Sequence, residues 1–197
     1  MSLRVLDLFS GLGGASEAFV QAGDEVLRID NNPLLSGVPH TEIMDVAQVL
    51  EVLREYHVAR RRYDVVWCSP PCLEFSQAFN APGPTARREG REFSPDLSLM
   101  QVSLEFVKLL QPRWWVIENV RGACPHFNPI LGEPTQVIGS LVLWGRFPAL
   151  RLPEGWSHRK SDVDQRWSVL RANHRAKVPL EVSKALRTAV LSQHQLI

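Results

Sequence analysis

The sequence predicts an α/β fold in which a mostly parallel sheet carries helices on both faces. Short apolar runs alternate along the chain with segments whose apolar residues recur at helical spacing. The first run, LRVLDLF at 3–9, passes through a glycine-rich turn into such a helical segment. The length of 197 residues suits one domain, and no repeat is visible, so we expect a single domain over 1–197.

The first half of the chain is predicted to contain three strands and two helices. Residues 3–9 form a buried strand, because a short apolar run ended by glycines is typical of a parallel strand. Residues 11–23 form a helix that ends at a glycine. A second strand covers 25–30 and ends at an acidic residue, a helix covers 46–58, and a third strand within 63–72 runs into Pro-Pro.

The second half begins with a segment, 77–96, that is rich in Pro, Gly, Arg and Ser and has no apolar period. We predict a mobile loop there. An amphipathic helix follows at 98–111, and RWWVIENV at 113–120 forms another buried strand. One or two further strands are expected within 137–150, and an amphipathic helix at 178–193 closes the chain.

Composition and charge exclude several classes of protein. The chain is 45% hydrophobic and 22% charged, which is ordinary for a globular protein and excludes a largely disordered one. No apolar stretch approaches membrane-spanning length, and the first residues do not resemble a signal peptide. The net charge of +1 lacks the basic excess typical of a nucleic-acid-binding chain, although arginines cluster at 60–62 and 87–91.

The three cysteines are Cys68, Cys72 and Cys124. Their spacing indicates neither a disulfide framework nor a zinc site. We therefore expect a reducing compartment and no metal. Cys68 lies inside the third strand and is expected to pack in the core.

The first candidate site is the glycine-rich turn DLFSGLGG at 7–14. Glycines between a strand and a helix let the backbone approach a cofactor, and the helix N-terminus supplies free N–H groups. The second strand ends at Asp30, whose carboxylate would meet a pair of ribose hydroxyls. A tight turn without function is the alternative, and the spacing alone leaves nicotinamide, flavin and S-adenosylmethionine open.

Two further candidates end other strands. Cys72 follows the third strand and a stiff Pro-Pro pair, at the edge where ligands bind in open α/β sheets. Core packing is the alternative role for this cysteine. Glu118 is a carboxylate at the end of an apolar strand, where burial is costly without a partner or a purpose, and a cap or salt bridge is its alternative. Because parallel strands end at one edge, the three sites converge on one rim.

In combination these motifs resemble the cytosine-5 DNA methyltransferase family, and in particular a minimal, phage-type member. DLFSGLGG is similar to the family's cofactor loop, SPPCLEFS to its Pro-Cys nucleophile loop and IENV to its Glu-Asn-Val signature. The closing HRAKVPLEVSKALRTAV resembles the final helix segment of the family. The resemblance implies a Rossmann-like methyltransferase fold that uses S-adenosyl-L-methionine.

The resemblance also implies the site residues. The catalytic residues would be Cys72, Glu118 and Asn119. The cofactor-binding residues would be Asp7, Phe9, Ser10, Gly11, Gly13, Gly14, Asp30, Asn31, Asp45, Pro70 and Val178. The substrate-binding residues would be Pro71, Ser76, Arg87, Arg88, Arg121 and Arg146.

The implied reaction transfers a methyl group from S-adenosyl-L-methionine to carbon 5 of cytosine in DNA. The Cys72 thiolate would add to carbon 6, Glu118 would hold a proton at ring nitrogen 3, and Asn119 would orient Glu118 and the nucleophile loop. A base in a duplex would have to flip out to reach the rim. The segment 77–96 would close over the substrate, or it is an insertion without that role.

The sequence departs from the family pattern in four places. Leu73 stands where the family has Gln, and Ala176 where it has Asn before Val-Pro. The family's arginine-rich strand has lost its obvious arginines here, so Arg146 or Arg121 would substitute. Only the short segment 148–174 occupies the position of a target-recognition domain, and it is too short to form one.

These departures leave several functions open. A partner subunit or a homodimer would supply target recognition to a DNA methyltransferase. The same thiolate chemistry would otherwise act on a free or single-stranded cytosine nucleotide, or transfer a modified one-carbon group. A silent module that binds cofactor or DNA is a third hypothesis, which the presence of Cys72 and Glu118 disfavours. We expect a cytoplasmic protein of a bacterium or a phage-infected host cell, without membrane contact.

Overall fold

The computed structural model describes residues 2–55, 63–158 and 167–194. Seven strands form one sheet within these ranges: β1 (Arg4–Leu8), β2 (Glu25–Asp30), β3 (Thr41–Ile43), β4 (Val65–Cys68), β5 (Trp114–Val120), β6 (Gln136–Ile138) and β7 (Leu141–Arg146). The α-helices are α1 (Glu17–Gln21), α2 (Val46–Glu55), α3 (Pro82–Arg88), α4 (Ser98–Leu110), α5 (Cys124–Leu131), α6 (Arg171–Ala176) and α7 (Leu180–His194). In the described ranges, no helix has both the length and the apolar character needed to span a bilayer.

The strands lie in the order β3-β2-β1-β4-β5-β7-β6. The first five run parallel, whereas β7 is antiparallel to both β5 and β6. The register places Leu8 beside Ile29 and Cys68, and Cys68 beside Ile117. β1, β2, β4 and β5 therefore end side by side, at what we call the carboxyl edge. The predicted α/β fold with a mostly parallel sheet is confirmed.

Helices cover both faces of the sheet. On one face Val5 packs with Phe19 of α1 and Leu186 of α7. On the other face Leu6 packs with Phe106 of α4. Neighbouring strand residues point to opposite faces, so a strand that is apolar throughout needs cover on both. This arrangement confirms the prediction of helices on both faces.

Most predicted elements agree with the structure. The strand predicted at 25–30 is β2, and the strand predicted within 63–72 is β4. The segment 137–150 contains β7 and the end of β6. The helix predicted at 11–23 is much shorter, because positive φ angles within the glycine-rich turn prevent an earlier start. The last three residues of the helix predicted at 46–58 lie outside the described part of the chain.

Four elements were not predicted, namely β3, α3, α5 and α6. α3 lies inside the segment 77–96, so the prediction that this segment is wholly a loop is wrong. Pro82 occupies the first turn of α3, where a missing N–H costs nothing, and only Ala86 of this helix is buried. Such a helix has no periodic apolar residues by which the sequence would indicate it.

In the segment 148–174, residues 159–166 lie outside the described ranges.

Candidate active site

The glycine loop, residues 9–14, joins β1 to the turn before α1 at the carboxyl edge. Gly11 and Gly13 have φ angles of 52° and 69°, which glycine adopts without strain. The Ser10 N–H donates to the Ile29 carbonyl at 3.1 Å, and the Gly11 N–H donates to Asp30 Oδ2 at 2.9 Å. The loop is therefore fastened to the end of β2, and the structure places Asp30 beside it.

A buried polar network lies beneath the glycine loop. Ser16 Oγ donates to Asp7 Oδ2 at 2.6 Å, and Arg28 Nε donates to Ser16 Oγ at 2.8 Å. Arg28 also donates to the carbonyls of Gly13 at 2.8 Å and Pro39 at 3.0 Å. Arg28 Nη2 also forms an ion pair with Glu17 Oε2 at 3.0 Å. Because Arg28 is 1% exposed, its charge is stable there only with this carboxylate and these hydrogen bonds. It ties the glycine loop to the connection between β2 and β3.

Asp7 is a buried carboxyl group beneath the glycine loop. Burial raises the pKa of Asp7 to about 7, against the opposing effects of the Ser16 hydrogen bond and the Arg28 charge. Among the described residues, neither Asp7 Oδ1 nor the buried Ser10 Oγ has a hydrogen-bond partner. Unsatisfied buried polar atoms at a glycine loop fit a polar ligand. They suit the charged amino-acid part of the predicted cofactor.

The other predicted cofactor residues of β1 to β3 also lie at this edge. Phe9 starts the glycine loop with a φ angle of 56° and is half-buried. The Met44 N–H donates to the Asp30 carbonyl at 3.0 Å, which brings the following Asp45 to the end of β2. Asp45 Oδ1 accepts the Gln48 N–H at 3.1 Å and so caps α2. Asn31 is exposed.

The segment that precedes α7 packs against the glycine loop. A Cβ placed on Gly14 would lie 2.3 Å from the Val178 carbonyl oxygen, so the close approach requires glycine. Asn173 Nδ2 of α6 would lie 3.6 Å from a Cβ on Gly11. A cavity of about 500 Å³ borders this contact at Gly14, Arg28 and Val178. Neither Asp30 nor Cys72 lines this cavity. Both residues lie at the carboxyl edge, with most of the other predicted site residues.

The loop that carries Cys72 begins beside the glycine loop. The Ser69 N–H donates to the Leu8 carbonyl at 3.1 Å. Pro70 is buried and Pro71 exposed. Cys72 is half-buried and immediately precedes a 3-10 turn, Leu73–Phe75, which we call the nucleophile turn.

Asn119 connects the end of β5 to this loop. Its Nδ2 donates to the Pro70 carbonyl at 3.0 Å, and its Oδ1 accepts the Val120 N–H at 2.9 Å. Glu118 and Asn119 are 8% and 1% exposed. The structure thus brings Cys72, Glu118 and Asn119 to one edge of the sheet, next to the glycine loop.

Most of the predicted substrate residues lie near this edge. Ser76 and Arg87 line a pocket of about 320 Å³ beside the nucleophile turn. The guanidinium of Arg88 lies 3.8 Å from the ring centre of Phe79 and donates to its carbonyl. Arg121 directly follows β5, and its Nη2 donates to the Gly139 carbonyl at 3.1 Å.

Arg146 lies at the opposite edge, which corrects its predicted role. Its Nε donates to the Arg113 carbonyl at 2.9 Å and its Nη2 to the Pro112 carbonyl at 2.6 Å. In the register it stands beside Trp115, near the start of β5. Because β7 runs antiparallel to β5, the last residue of β7 lies where β5 begins. Of the two candidate arginines, only Arg121 is at the carboxyl edge.

Two residues that hold the site together were missed by the sequence analysis. Arg28 could have been found, because a charged residue inside the apolar strand EVLRID needs a buried partner. Gly122 gave no such signal. A Cβ there would lie 1.9 Å from the Phe75 carbonyl oxygen, so only glycine lets the turn after β5 contact the nucleophile turn.

Comparison with known proteins shows the family of this chain. A family model described as C-5 cytosine-specific DNA methylase matches residues 3–131. The Type II methyltransferase M1.HphI of Haemophilus parahaemolyticus is 34% identical over 136 residues, which cover 64% of this chain and 34% of that protein. The Type II methyltransferase M.HgiGI of Herpetosiphon aurantiacus is 28% identical over 134 residues, which cover 61% of this chain and 93% of that protein.

A crystal structure of the S. pombe Dnmt2 methyltransferase aligns with a TM-score of 0.39 and 21% sequence identity. The alignment covers 74% of this chain and 48% of that structure. The chain therefore spans about half of that structure, about a third of M1.HphI and nearly all of M.HgiGI.

Proposed function

The chain belongs to the C-5 cytosine-specific DNA methylase family, and from this premise we propose that it transfers a methyl group from S-adenosyl-L-methionine to carbon 5 of cytosine in DNA. One observation carries the proposal, namely the hydrogen bond of 3.0 Å from Asn119 Nδ2 to the Pro70 carbonyl. It joins the strand end that holds Glu118 to the loop that holds Cys72. A nucleophile and a carboxyl group are thereby fixed beside a cofactor loop.

The residues of the glycine loop fit S-adenosyl-L-methionine. Asp7 and Ser10 offer buried oxygens that have no hydrogen-bond partner in the described ranges. Asp30 offers a carboxylate to the ribose hydroxyls at the end of β2, and Val178 closes the loop from the other side. When bound, the cofactor supplies an electrophilic methyl group on its sulfonium.

Cys72 makes carbon 5 of the cytosine reactive. The thiolate forms a bond from Sγ to carbon 6, which moves electron density to carbon 5 and lets it take the methyl group. Glu118 holds a proton against ring nitrogen 3 and so stabilises the charge that develops on the ring. A base, in the simplest case water, then removes the carbon 5 proton. The Sγ–carbon 6 bond breaks, and the thiolate and the aromatic ring are restored.

We propose that the chain alone has weak sequence specificity and that a partner subunit or a homodimer adds target recognition. The short connection between β7 and α7 supports this, because it leaves no room for a separate recognition domain. DNA as the substrate is supported by the family and by Arg87, Arg88 and Arg121, which lie at or near the carboxyl edge. The bacterial sources of both relatives support a place in the bacterial or phage-infected cytoplasm.

The first test follows a labelled methyl group. We expect purified protein, labelled cofactor and mixed DNA to give labelled 5-methylcytosine after digestion to nucleosides. Cys72→Ala should abolish the label, whereas Cys124→Ala, which changes a half-buried cysteine of α5, should keep it. Bound cofactor without any labelled product would contradict the proposal.

The substrate form is tested by covalent trapping. A 5-fluorocytosine has no removable proton at carbon 5, so it should leave Cys72 bonded to carbon 6. We expect the adduct with fluorinated DNA and not with the free nucleotide, as measured by intact-protein mass spectrometry. An adduct with the free nucleotide alone would favour a small-molecule substrate, and no adduct at all would favour a silent binding module.

A further inference from the structure

The pocket of about 320 Å³ beside the nucleophile turn has no role in the reaction described above. We propose that it binds the nucleotide adjacent to the target cytosine, so that this chain itself reads one neighbouring base. The inference rests on the proposed function and adds a determinant of its substrate. The pocket residues that carry the argument are Phe75, Gln77, Arg87, Arg91, Phe93 and His126.

The position of the pocket suits a neighbouring nucleotide. Glu74 lines it and lies two residues after Cys72, so their Cα atoms are at most about 7.6 Å apart. Its other walls come from α3, from the segment after α3 that carries Arg91 and Phe93, from α5, and from the turn after β5, where Gly122 contacts the nucleophile turn. The pocket is therefore formed by the turns that directly follow Cys72 and the strand of Asn119. A strand whose cytosine reaches Cys72 would place an adjacent nucleotide here.

Phe93 offers a surface on which a base can stack. It is 38% exposed, whereas Phe75 on the same pocket is 5% exposed. One edge of the Phe93 ring packs on α3, because its Cδ1 and Cε1 would lie 3.3 and 3.4 Å from a Cβ on Gly83. An unstacked base can stack on an aromatic ring that is held at one edge and exposed to a pocket.

Two hydrogen-bonding side chains line the same pocket. The imidazole of His126 lies 5.9 Å from Phe75 between ring centres, and Gln77 lies next to Gly122. Both side chains line the pocket, and each offers a donor and an acceptor for the edge of a base. An aromatic surface together with such groups would let the pocket distinguish one base from another.

Positive charge at the pocket suits the phosphate of the same nucleotide. Arg87 and Arg91 line the pocket and are exposed. Arg91 also donates to Glu89 through Nε at 2.8 Å. The Glu74 carboxylate lines the pocket as well, but it already accepts the Asp96 N–H. Glu74 and Glu89 are thus both engaged within the protein, Glu89 by Arg91 itself. The remaining N–H groups of Arg87 and Arg91 are left to bind an anion in the pocket.

The test measures the binding of short labelled oligonucleotides by fluorescence anisotropy, without methyl transfer. Each contains one cytosine, with an abasic residue on its 5′ side, on its 3′ side or on neither. For the wild type we expect an abasic residue on one side alone to raise Kd about tenfold. In Phe93→Ala the intact oligonucleotide should bind about tenfold more weakly, and the abasic residue should add nothing further.

Ile130→Ala is the control, because Ile130 is a 43% exposed apolar residue of α5 that does not line the pocket. It should behave as the wild type. Arg91→Ala should weaken all the oligonucleotides alike. An equal Kd for intact and abasic DNA in the wild type, or a full abasic penalty in Phe93→Ala, would overturn the inference. Failure of methyl transfer with this binding pattern intact would count against the proposed function alone.

Discussion

Asp7 is a single buried side chain that makes the stability of the fold depend on solution pH. Burial raises its pKa from 3.8 to about 7, so the folded protein holds this proton over a range in which the unfolded chain has lost it. Because the folded state binds more protons there, stability falls as pH rises from about 4 to about 7. A pKa difference of this size corresponds to a loss on the order of 4 kcal/mol.

The residue-scale prediction concerns Asp7→Asn in the cofactor-free protein. An amide cannot ionise, so the variant should lose this contribution to the pH dependence and should be more stable than the wild type above about pH 7. Its amide oxygen can still accept the Ser16 hydroxyl. Urea unfolding at about pH 4, 6 and 8 measures the effect. The same pH slope in both proteins would show that Asp7 does not ionise in this range.

Single residues also show how far the sequence predicts the site. Cys72, Glu118 and Asn119 were found because each follows or ends an apolar strand, and parallel strands end at one edge. Arg146 was misplaced because the direction of β7 depends on long-range pairing with β5. The contact of Gly122 with the nucleophile turn arises only in the folded chain, so no local pattern could reveal it.

At the scale of elements, the contact between the glycine loop and the segment before α7 forms one side of the proposed cofactor site. A Cβ on Gly14 would lie 2.3 Å from the Val178 carbonyl oxygen and 2.8 Å from Lys177 Cγ. The carbonyl belongs to the backbone and cannot swing away. A side chain at Gly14 must therefore separate the two elements.

The element-scale prediction is that Gly14→Ala raises the Kd for S-adenosyl-L-methionine at least about tenfold, because the loop loses its packed position. Isothermal titration calorimetry measures this Kd. Gly37→Ala is the control, since a Cβ there meets nothing within 4 Å, and it should bind as the wild type. Unchanged affinity in Gly14→Ala would mean that the contact does not shape the site.

The strands were more predictable than the helices for a physical reason. The strands of the sheet centre are apolar on both faces, and such runs stand out in a sequence. α3, α5 and α6 are short and bury few side chains, and α6 buries none. Tertiary contacts decide their conformation more than periodicity does.

At the scale of the whole molecule, the core extends well beyond the segment that the family model matches. That match ends at residue 131, whereas α7 lies after it and covers one face of the sheet. Val182, Leu186 and Val190 of α7 are each 0% exposed. Burial of such side chains contributes about 1.5–3 kcal/mol each. Together they reach the size of the net stability of a typical domain, about 5–15 kcal/mol.

The prediction at this scale is that a chain ending at residue 179 does not fold cooperatively. Removing α7 leaves the apolar face around Phe19 uncovered. Near-UV circular dichroism and thermal unfolding measure the loss of fixed packing. Lys184→Ala changes an exposed residue of the same helix and should unfold as the wild type does. A sharp unfolding transition in the shortened chain would refute this role of α7.

The connection from β7 to α7 offers an engineering site. Phe147 and Leu150 anchor its start in the core, and Val178 anchors its end. Gly155 lies between these anchors, with a φ angle of 71° and open space around its Cα. A foreign DNA-reading module inserted at Gly155 would enter a surface turn and leave both anchors in place. Such an insertion would direct the proposed methyl transfer to chosen DNA sequences.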